Sequence, residues 1–264
     1  MIRSPLLARL NAWRKHSIFS PHWLDWRHLR GSVEELAPFA RGVLLDVGCS
    51  ERPYGKLFAP YVTRHVGLDY PPALLDKQPG LWTILDRAKR SVDVFGDGNR
   101  LPFRDERFDT VLATEVLEHV RSPATLLREM ARVLKPGGRV LLTVPFVQPL
   151  HELPSDYYRF TPASLRSLLE RAGFTVEAVE PRGNYASALG VLGSQFLLRR
   201  FGPRSLIVLP VAAFLQTWFH LLSKWLPDDS LVLGYRAVGR RPFPAPLVCQ
   251  ADRAIEHLPE ALPR

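Results

Sequence analysis

Cysteine is scarce in this sequence: Cys49 and Cys249 are the two cysteines in a chain of 264 residues. The sequence contains no CxxC pair and no cluster of cysteine with histidine. These absences argue against a disulfide framework and against a structural zinc site, and they fit the reducing cytoplasm. We therefore expect no bound metal and a cytoplasmic protein, with membrane association as an open alternative.

Acidic residues are scarce near the amino terminus, although the whole chain has a formal charge of only +9. The first thirty residues contain six basic side chains and one acid, Asp25. Three tryptophans accompany them: Trp13, Trp23 and Trp26. We predict a basic helical arm over residues 1–41, with a helix that starts at a capping box of Ser32 and Glu35. Such an arm packs on the domain or contacts a membrane surface or nucleic acid.

Charged residues are absent between positions 205 and 222, and this window is a borderline candidate for a membrane span. A single crossing would, however, separate the strands predicted on either side of it. One helical face is apolar and comprises Val211, Phe214, Leu215, Trp218, Leu222, Trp225 and Leu226. We predict an apolar helical insertion over residues 181–230, which packs against the domain or covers the substrate. Contact in the plane of a membrane through residues 186–226 is the alternative.

Apolar strands and helical stretches alternate from Val43 onward, which is typical of a parallel sheet covered on both faces. The strands are predicted near residues 43–47, 64–69, 91–94, 108–113, 139–146, 174–180 and 231–239. The helices are predicted near residues 53–59, 73–77, 122–134 and 162–172. The pattern predicts an α/β fold with a doubly wound, mostly parallel, seven-stranded sheet. Residues 42–180 would form its core, and residues 231–264 the last strand and a proline-rich tail.

The first predicted strand ends at Asp46 and enters a turn at Gly48. Glycine allows the backbone to pass close to a ligand, and Asp46 is placed to bind an amino group. The helix predicted after the turn would direct its N–H groups toward an anion such as a carboxylate. Residues 48–53 lack two of the three glycines of G-x-G-x-x-G, which excludes a nicotinamide-dependent dehydrogenase.

Acidic residues also end later strands. Asp69 ends the second predicted strand, where a carboxylate can accept hydrogen bonds from both hydroxyl groups of a ribose. Asp97 follows the third strand, where its carboxylate can accept a hydrogen bond from the exocyclic amine of an adenine. Because parallel strands end at the same edge of a sheet, these positions predict a site for an adenosine-containing cofactor.

Seven pieces of residues 43–180 together resemble the class I S-adenosylmethionine-dependent methyltransferases, in the small-molecule (type 11) group. The pieces are residues 45–49, 66–69, 96–97, 101–103, 108–112, 115–119 and 132–138. The resemblance implies a Rossmann-like fold and S-adenosyl-L-methionine as the cofactor. The predicted cofactor-binding residues are Asp46, Gly48, Ser50, Asp69, Tyr70, Asp97, Gly98, Thr114 and Glu115. Ser50 stands where the group usually has glycine.

The resemblance also implies in-line methyl transfer to an oxygen, nitrogen or carbon atom of a small molecule or of a glycan- or lipid-linked intermediate. Residues 150–161 are similar to a subgroup linked to cell-envelope or glycan pathways. A hydroxyl acceptor needs a general base beyond the fourth and fifth strands, and His151 and His119 are the candidates. Residues 114–117 differ from the Asn/Asp-Pro-Pro-Tyr run of nucleic-acid amino methyltransferases, so we expect no nucleic-acid partner.

A second class of function stays open at this point. Ser50 replaces the usual glycine, and no single residue is assigned as the general base. Both features also fit a catalytically silent module that has the same fold and binds the cofactor, a membrane or a partner.

Overall fold

The computed structural model describes residues 17–18, 20, 22–70, 91–202 and 207–244. Within them, one sheet has the strand order β3-β2-β1-β4-β5-β7-β6. Its strands are β1 (Gly42–Val47), β2 (Val62–Asp69), β3 (Val94–Phe95), β4 (Phe108–Thr114), β5 (Leu134–Pro145), β6 (Thr175–Arg182) and β7 (Gly234–Arg240). The first five strands pair in parallel, whereas β7 runs antiparallel to both β5 and β6. The predicted mostly parallel, Rossmann-like sheet is therefore confirmed.

Helices follow most of the strands in the described ranges. They are α1 (Trp23–Leu36), α2 (Gly55–Phe58), α3 (Pro123–Val133), α4 (Pro162–Arg171), α5 (Tyr185–Phe201) and α6 (Val208–Trp225). Short 3-10 turns occupy Ala37–Phe39, Gly98–Arg100 and Leu117–His119. Thr161 caps α4, because its hydroxyl accepts a hydrogen bond from the N–H of Ser164. The helices α5 and α6 lie between β6 and β7, where the apolar insertion was predicted.

The central strands are apolar on both sides. In β1, the side chain of Leu44 joins a buried cluster that includes Val33 of α1, whereas Leu45 joins the cluster that includes Leu126 of α3. Successive residues of a strand point to opposite faces, so both faces of the sheet are covered. The register aligns Val47 with Leu68 of β2 and with Ala113 of β4. The carboxyl ends of these strands therefore meet at one edge, where the predicted site residues lie.

The prediction for the amino-terminal helix is wrong about its start. The helix α1 begins at Trp23, and Ser32 is buried inside it instead of capping it. The buried positions Leu24, Leu29, Val33 and Leu36 recur at helical spacing. Packing of this stripe on the domain extends the helix upstream of the apparent cap.

Several strands differ from their predicted bounds, and the largest difference is in the fifth, which begins at Leu134 instead of residue 139. The third is limited to Val94–Phe95, and the last begins at residue 234 instead of 231. The N–H of Leu233 donates to the carbonyl of Arg182, and its carbonyl accepts from Phe146, so this residue already bridges the two neighbouring segments. The helix predicted near residues 73–77, the segment with Trp13, and residues 245–264 of the predicted tail lie outside the described residues.

The apolar face of α6 is not packed against the domain. The buried side chains of this helix are Val208, Ala212, Ala213 and Gln216. The apolar face, for which packing on the domain and membrane contact were the alternatives, is exposed, with Phe214 64%, Trp218 53% and Trp225 82% accessible. Gln216 explains this choice, because its Oε1 accepts a hydrogen bond from the N–H of Leu24 at 3.0 Å. Its Nε2 donates to the carbonyl of Ser20 at 3.0 Å, so the amide fastens this face to the start of α1.

None of the helices in the described ranges combines the length and the apolar character that a bilayer crossing requires.

Candidate functional site

The turn after β1 contacts strand β2 and the segment that follows β4. Gly48 has φ +70°, and a Cβ atom there would lie 2.6 Å from Cγ2 of Val116, in the segment after β4. The N–H groups of Gly48 and Cys49 donate to the carbonyl of Leu68 in β2, at 2.9 and 3.1 Å. Glycine is therefore required at position 48 by both backbone conformation and space.

Side-chain contacts stabilise the rest of this turn. Ser50 and Arg52 have φ +46° and +52°, values that favour glycine. The N–H of Ser50 donates to Oδ2 of Asp69 at 2.8 Å. The guanidinium of Arg52 forms an ion pair with Asp93, whose carboxylate also accepts from the N–H of Gly67 at 2.9 Å. These contacts account for a turn of this shape in which Ser50 replaces the usual glycine.

The helix expected to receive an anion after the turn is too short for that role. The helix α2 has four residues, Gly55–Phe58, and the N–H groups of Gly48 and Cys49 in the preceding turn already donate to Leu68. A helix of one turn has little macrodipole, so we withdraw the prediction that its end binds a carboxylate.

Asp46 lies at the end of β1 and is almost fully buried. Its Oδ2 is 3.0 Å from Nε2 of His65, a β2 residue that the sequence analysis did not select. Burial raises the pKa of the Asp46 carboxyl, and the hydrogen bond with His65 opposes this. The pair orients the carboxylate, and Asp46 retains acceptor capacity for a cofactor amino group.

Asp69 lies at the end of β2 and joins two parts of the candidate site. Its Oδ2 accepts from Ser50 and its Oδ1 accepts from the N–H of Tyr70 at 2.7 Å. Burial raises the pKa of Asp69, and these two N–H donors oppose the rise. Each oxygen of a carboxylate can accept a second hydrogen bond. Asp69 is therefore fixed in orientation and can still accept from a pair of hydroxyl groups.

Asp97 and Gly98 follow β3. The Oδ1 atom of Asp97 accepts hydrogen bonds from the backbone and side-chain nitrogens of Asn99, at 2.8 and 3.0 Å. A Cβ atom on Gly98 would lie 2.9 Å from Cδ1 of Leu126, so α3 packs directly on this loop. Asp97 is exposed, and its second oxygen is available to a ligand. Tyr70 is also exposed and lies next to Asp69 in the chain.

Thr114 and Glu115 end β4, but Glu115 is already bonded. Its N–H donates to Thr143 of β5, and its Oε2 accepts from Nη2 of Arg182 at 3.1 Å. Arg182 is buried and also contacts Asp25 of α1 at 3.2 Å. Burial raises the pKa of Glu115, and the charge of Arg182 opposes the rise. Glu115 thus anchors α1 to the sheet, and only its Oε1 lacks a partner among the described residues.

His119 and His151 come together beyond the ends of β4 and β5. Their rings are edge to face with centroids 4.8 Å apart. Nδ1 of His119 lies 2.6 Å from the carbonyl of Ser155, and Nδ1 of His151 lies 3.2 Å from that of Pro149. Asp156 accepts from the N–H of His151 at 3.0 Å, and Arg159 lowers the pKa of this carboxyl. The structure therefore brings together the two predicted base candidates, which lie far apart in the sequence.

Glu118 is a functional candidate that the sequence analysis missed. It is fully buried, and neither carboxylate oxygen has a hydrogen-bond partner among the described residues. Burial, and then the nearby charge of Glu115, raise its pKa well above the usual value. Ligand atoms of Glu118, His119 and His151 all lie within 4.8 Å of one another. The Glu-His pair at 118–119 was visible in the sequence, but nothing there placed His151 beside it.

Comparisons with known proteins concern the domain that contains this candidate site. Residues 45–142 match the family model described as a methyltransferase domain, of type 11. A tRNA U34 carboxymethyltransferase of Methylococcus capsulatus is 31% identical over 190 residues, covering 64% of this chain and 57% of that protein. The human protein named probable tRNA methyltransferase 9B is 29% identical over 148 residues, covering 52% of this chain and 30% of that protein. The chain thus spans less than two thirds of either relative.

A solved structure shows the same fold. It is a complex of the Haloferax volcanii Trm112 methyltransferase activator with a methyltransferase, with TM-score 0.53 and 20% identity over 92% of this chain and 100% of that one. The strand order and the strand-end residues define an α/β methyltransferase domain. Residues 45–142 therefore form a domain similar to the type-11 S-adenosylmethionine-dependent methyltransferases, and S-adenosyl-L-methionine is the cofactor of this domain.

The expectation of no nucleic-acid partner is wrong. Relatives of this chain include a tRNA U34 carboxymethyltransferase and proteins named for tRNA methylation in Homo sapiens and Bos taurus. The missing Asn/Asp-Pro-Pro-Tyr run concerns enzymes that grip a flipped base to methylate its amino group. Its absence says nothing about other acceptor atoms of a nucleic acid, so the exclusion does not follow.

Proposed function

We propose that this protein transfers the methyl group of S-adenosylmethionine, in line, to an oxygen, nitrogen or carbon nucleophile of a small molecule or of a lipid- or glycan-linked acceptor. The observation that carries the proposal is the joined turn of β1 and β2. Two backbone N–H groups hold the carboxylate of Asp69 beside the turn after β1. Gly48 and the ion pair of Arg52 with Asp93 keep this turn close to the strand ends. This arrangement suits a nucleoside-bearing ligand.

Asp69, Asp97 and Asp46 are the residues to which we assign the polar contacts of the cofactor. Asp69 would accept from the ribose hydroxyls, and Asp97 from the exocyclic amine of the adenine. Asp46 would contact the amino group, directly or through water, with His65 holding its orientation. Gly48, Ser50, Tyr70, Gly98, Thr114 and Glu115 remain predicted cofactor-binding residues. Side chains at Gly48 and Gly98 would collide with packed neighbours, so glycine at both positions keeps these loops close to the strand ends.

The bound cofactor supplies a methyl group that is already activated for transfer. The residues of the chain therefore act chiefly by holding the acceptor in line and by excluding water. For a hydroxyl acceptor, we assign proton removal to His151, with His119 as the second candidate. Each ring faces a backbone carbonyl with Nδ1, so Nδ1 carries the hydrogen and Nε2 keeps a lone pair. That nitrogen can accept the proton that the acceptor loses.

A labelled-cofactor experiment tests this proposal. Purified protein is titrated with S-adenosylmethionine by calorimetry and then incubated with methyl-labelled cofactor and cell extract. The extract is separated into small molecules, lipids and RNA, and the products are identified by mass spectrometry. Label in small molecules or lipids supports the proposed acceptor. Binding without any labelled product favours the silent module, and absence of binding contradicts both functions.

A nucleic-acid acceptor is the second candidate function. The names of the tRNA-linked relatives and the formal charge of +9 favour it. Label that appears in RNA, disappears with ribonuclease and weakens steeply with added salt would support this candidate over the first.

We also propose that the exposed face of α6 binds the anionic cytoplasmic surface of a membrane. Phe214, Trp218 and Trp225 project from this face, with Phe214 and Trp218 stacked. Exposed Arg199, Arg200 and Lys224 on α5 and α6 complement anionic headgroups. Wild-type protein should float with vesicles containing phosphatidylserine, and Trp218→Ser with Trp225→Ser should abolish flotation. Equal flotation of variant and wild type, or self-association that the same variant removes, would contradict the membrane proposal.

A further inference from the structure

Three side chains with metal-binding atoms converge beyond the carboxyl ends of β4 and β5. Glu118 and His119 lie in the 3-10 turn after β4, and His151 lies in the loop after β5. Their ligand atoms lie within 4.8 Å of one another. The Oε1 atom of Glu118 is 3.7 Å from Nε2 of His119. The exposed Glu152 places its Oε2 at the same distance, 3.7 Å, from that nitrogen.

The hydrogen bonds of the two histidines leave the metal-binding nitrogens free. A carbonyl oxygen only accepts hydrogen bonds, so the contacts with Ser155 and Pro149 place the hydrogen of each neutral ring on Nδ1. Each Nε2 then presents a lone pair. Histidine ligands in metal sites commonly donate their other N–H to a carbonyl or carboxylate in this way. Both rings are thus oriented as metal ligands are.

Glu118 adds an independent reason to place a cation here. Its side chain is fully buried, and both oxygens lack hydrogen-bond partners among the described residues. A buried polar group without a partner is costly, and such groups are usually paired or bound to metal. The described arginines whose charges act on Glu118 are Arg182 and Arg159, and both form ion pairs with other acids, namely Asp25, Glu115 and Asp156. A cation between Glu118 and the histidines would supply the missing partner.

We propose that Glu118, His119 and His151 bind one divalent transition-metal ion, with Glu152 as a further ligand. Two imidazole nitrogens with a carboxylate suit Zn²⁺, Mn²⁺ or Fe²⁺, whereas Mg²⁺ and Ca²⁺ prefer oxygen ligands alone. Tetrahedral ligands at about 2.1 Å from an ion are about 3.4 Å apart. The two pairs at 3.7 Å are close to this spacing, and the widest pair must approach by up to about 1.4 Å through side-chain rotation.

The consequence for catalysis rests on the proposed methyl transfer. Glu118, His119 and His151 supply three ligands, and the exposed Glu152 leaves the fourth position to water or to an oxygen of the acceptor when that oxygen binds. An oxygen bound there would be a stronger acid, so its proton could pass to solvent water without a histidine base. Nε2 cannot bind a metal and accept a proton at once. In the metal-bound form, His119 and His151 are therefore ligands, and the acceptor class narrows to oxygen nucleophiles.

Metal titration of the full chain tests the site without cofactor or acceptor. The affinity tag is removed, the protein is treated with chelator and dialysed, and Zn²⁺ is titrated by calorimetry. Co²⁺ absorption then reports the ligand geometry, and Mg²⁺ is the control ion. We expect one equivalent of Zn²⁺ per chain. The variants His119→Ala, His151→Ala and Glu118→Gln should each weaken binding by about tenfold or more. His220→Gln, a partly buried histidine of α6, is the matched control and should bind normally.

Each outcome of the titration either supports or overturns the proposed metal site. Loss of the single equivalent in the three site variants but not in His220→Gln supports the proposal. No Zn²⁺ binding, or the same affinity in wild type and all variants, overturns it. If an alanine variant melts at a lower temperature than the metal-free wild type, its titration is not counted. His151→Gln is then titrated in its place. Because the titration involves no methyl transfer, failure of the metal site and failure of the proposed activity are distinguished.

Discussion

At the scale of single residues, cofactor affinity should depend most on Asp69. Its carboxylate accepts N–H groups from Ser50 and Tyr70, and we assign its remaining lone pairs to the ribose. We expect Asp69→Ala to weaken S-adenosylmethionine binding by about ten- to a hundredfold, because hydrogen bonds to a charged group contribute about 1.5–3 kcal/mol each. Calorimetric titration measures the change.

Asp69→Asn and His151→Ala are the controls for this prediction. Asn keeps one acceptor oxygen and should give an intermediate affinity. His151 lies on the acceptor side, so its variant should bind cofactor nearly as wild type does. Equal affinity of Asp69→Ala and wild type would overturn the assignment of the ribose to this carboxylate.

Gly48 offers a comparison with a second glycine of the same chain. Gly48→Ala introduces a Cβ 2.6 Å from Val116 at a φ of +70°, whereas Gly31 in α1 has open space around it. We expect Gly48→Ala to lower the free energy of unfolding by about 1–3 kcal/mol. Gly31→Ala should raise it by up to about 1 kcal/mol, because alanine favours helix. Urea unfolding measures both, and equal effects would contradict the close packing of the turn.

At the scale of secondary-structure elements, the sequence predicted the sheet well because several strands carry their own signals. The strand around Leu45 is apolar and is followed by the turn at Gly48, and Asp69 ends the next strand. The face of α6 could not be predicted in this way. Its hydropathy pattern shows which side is apolar, but the hydrogen bonds of Gln216 with Leu24 and Ser20 decide which side is buried. Those partners lie almost 200 residues away in the sequence.

The candidate site likewise contains residues that the sequence could predict and residues that it could not. The cofactor residues lie directly at strand ends, so position in the sequence was enough to select Asp69 and Asp97. The contacts of His65 with Asp46 and of Glu118 with His151 arise between separate segments. Residue type and spacing carry no information about such contacts.

The packing of α1 against α6 and β6 should respond to pH. Burial lowers the pKa of His28 to about 4, with further effects from His220, Arg182 and Arg27. The folded protein therefore holds this ring neutral, while the unfolded chain binds a proton below about pH 6.5. We expect this residue to cost about 2 kcal/mol of unfolding free energy between pH 7 and pH 5. Urea unfolding at both pH values should show a smaller loss for His28→Gln, and an unchanged loss would contradict the burial of His28.

At the scale of the whole molecule, Arg182 joins the amino-terminal helix to the sheet. It projects from the end of β6 and contacts Asp25 of α1 and Glu115 at the end of β4. All three segments meet beside the candidate site. A buried charge with two partners contributes less to stability than to position, because its desolvation offsets most of the attraction. The network therefore explains how α1 keeps a fixed place on a domain whose site it borders.

Removal of Arg182 alone should lower the free energy of unfolding far more than removal of Arg182 together with the charges of its two partners. Arg182→Met leaves the carboxylates of Asp25 and Glu115 without their cation, and we expect a loss of about 3–5 kcal/mol in unfolding free energy. Asp25→Asn and Glu115→Gln added to Arg182→Met should recover part of it, because no buried charge is then left unpaired. Arg236→Met, which removes a more exposed arginine bound to Glu35 and Glu180, should cost at most about 1 kcal/mol. Equal losses for Arg182→Met and Arg236→Met, measured by urea unfolding, would show that the buried network does not hold α1 in place.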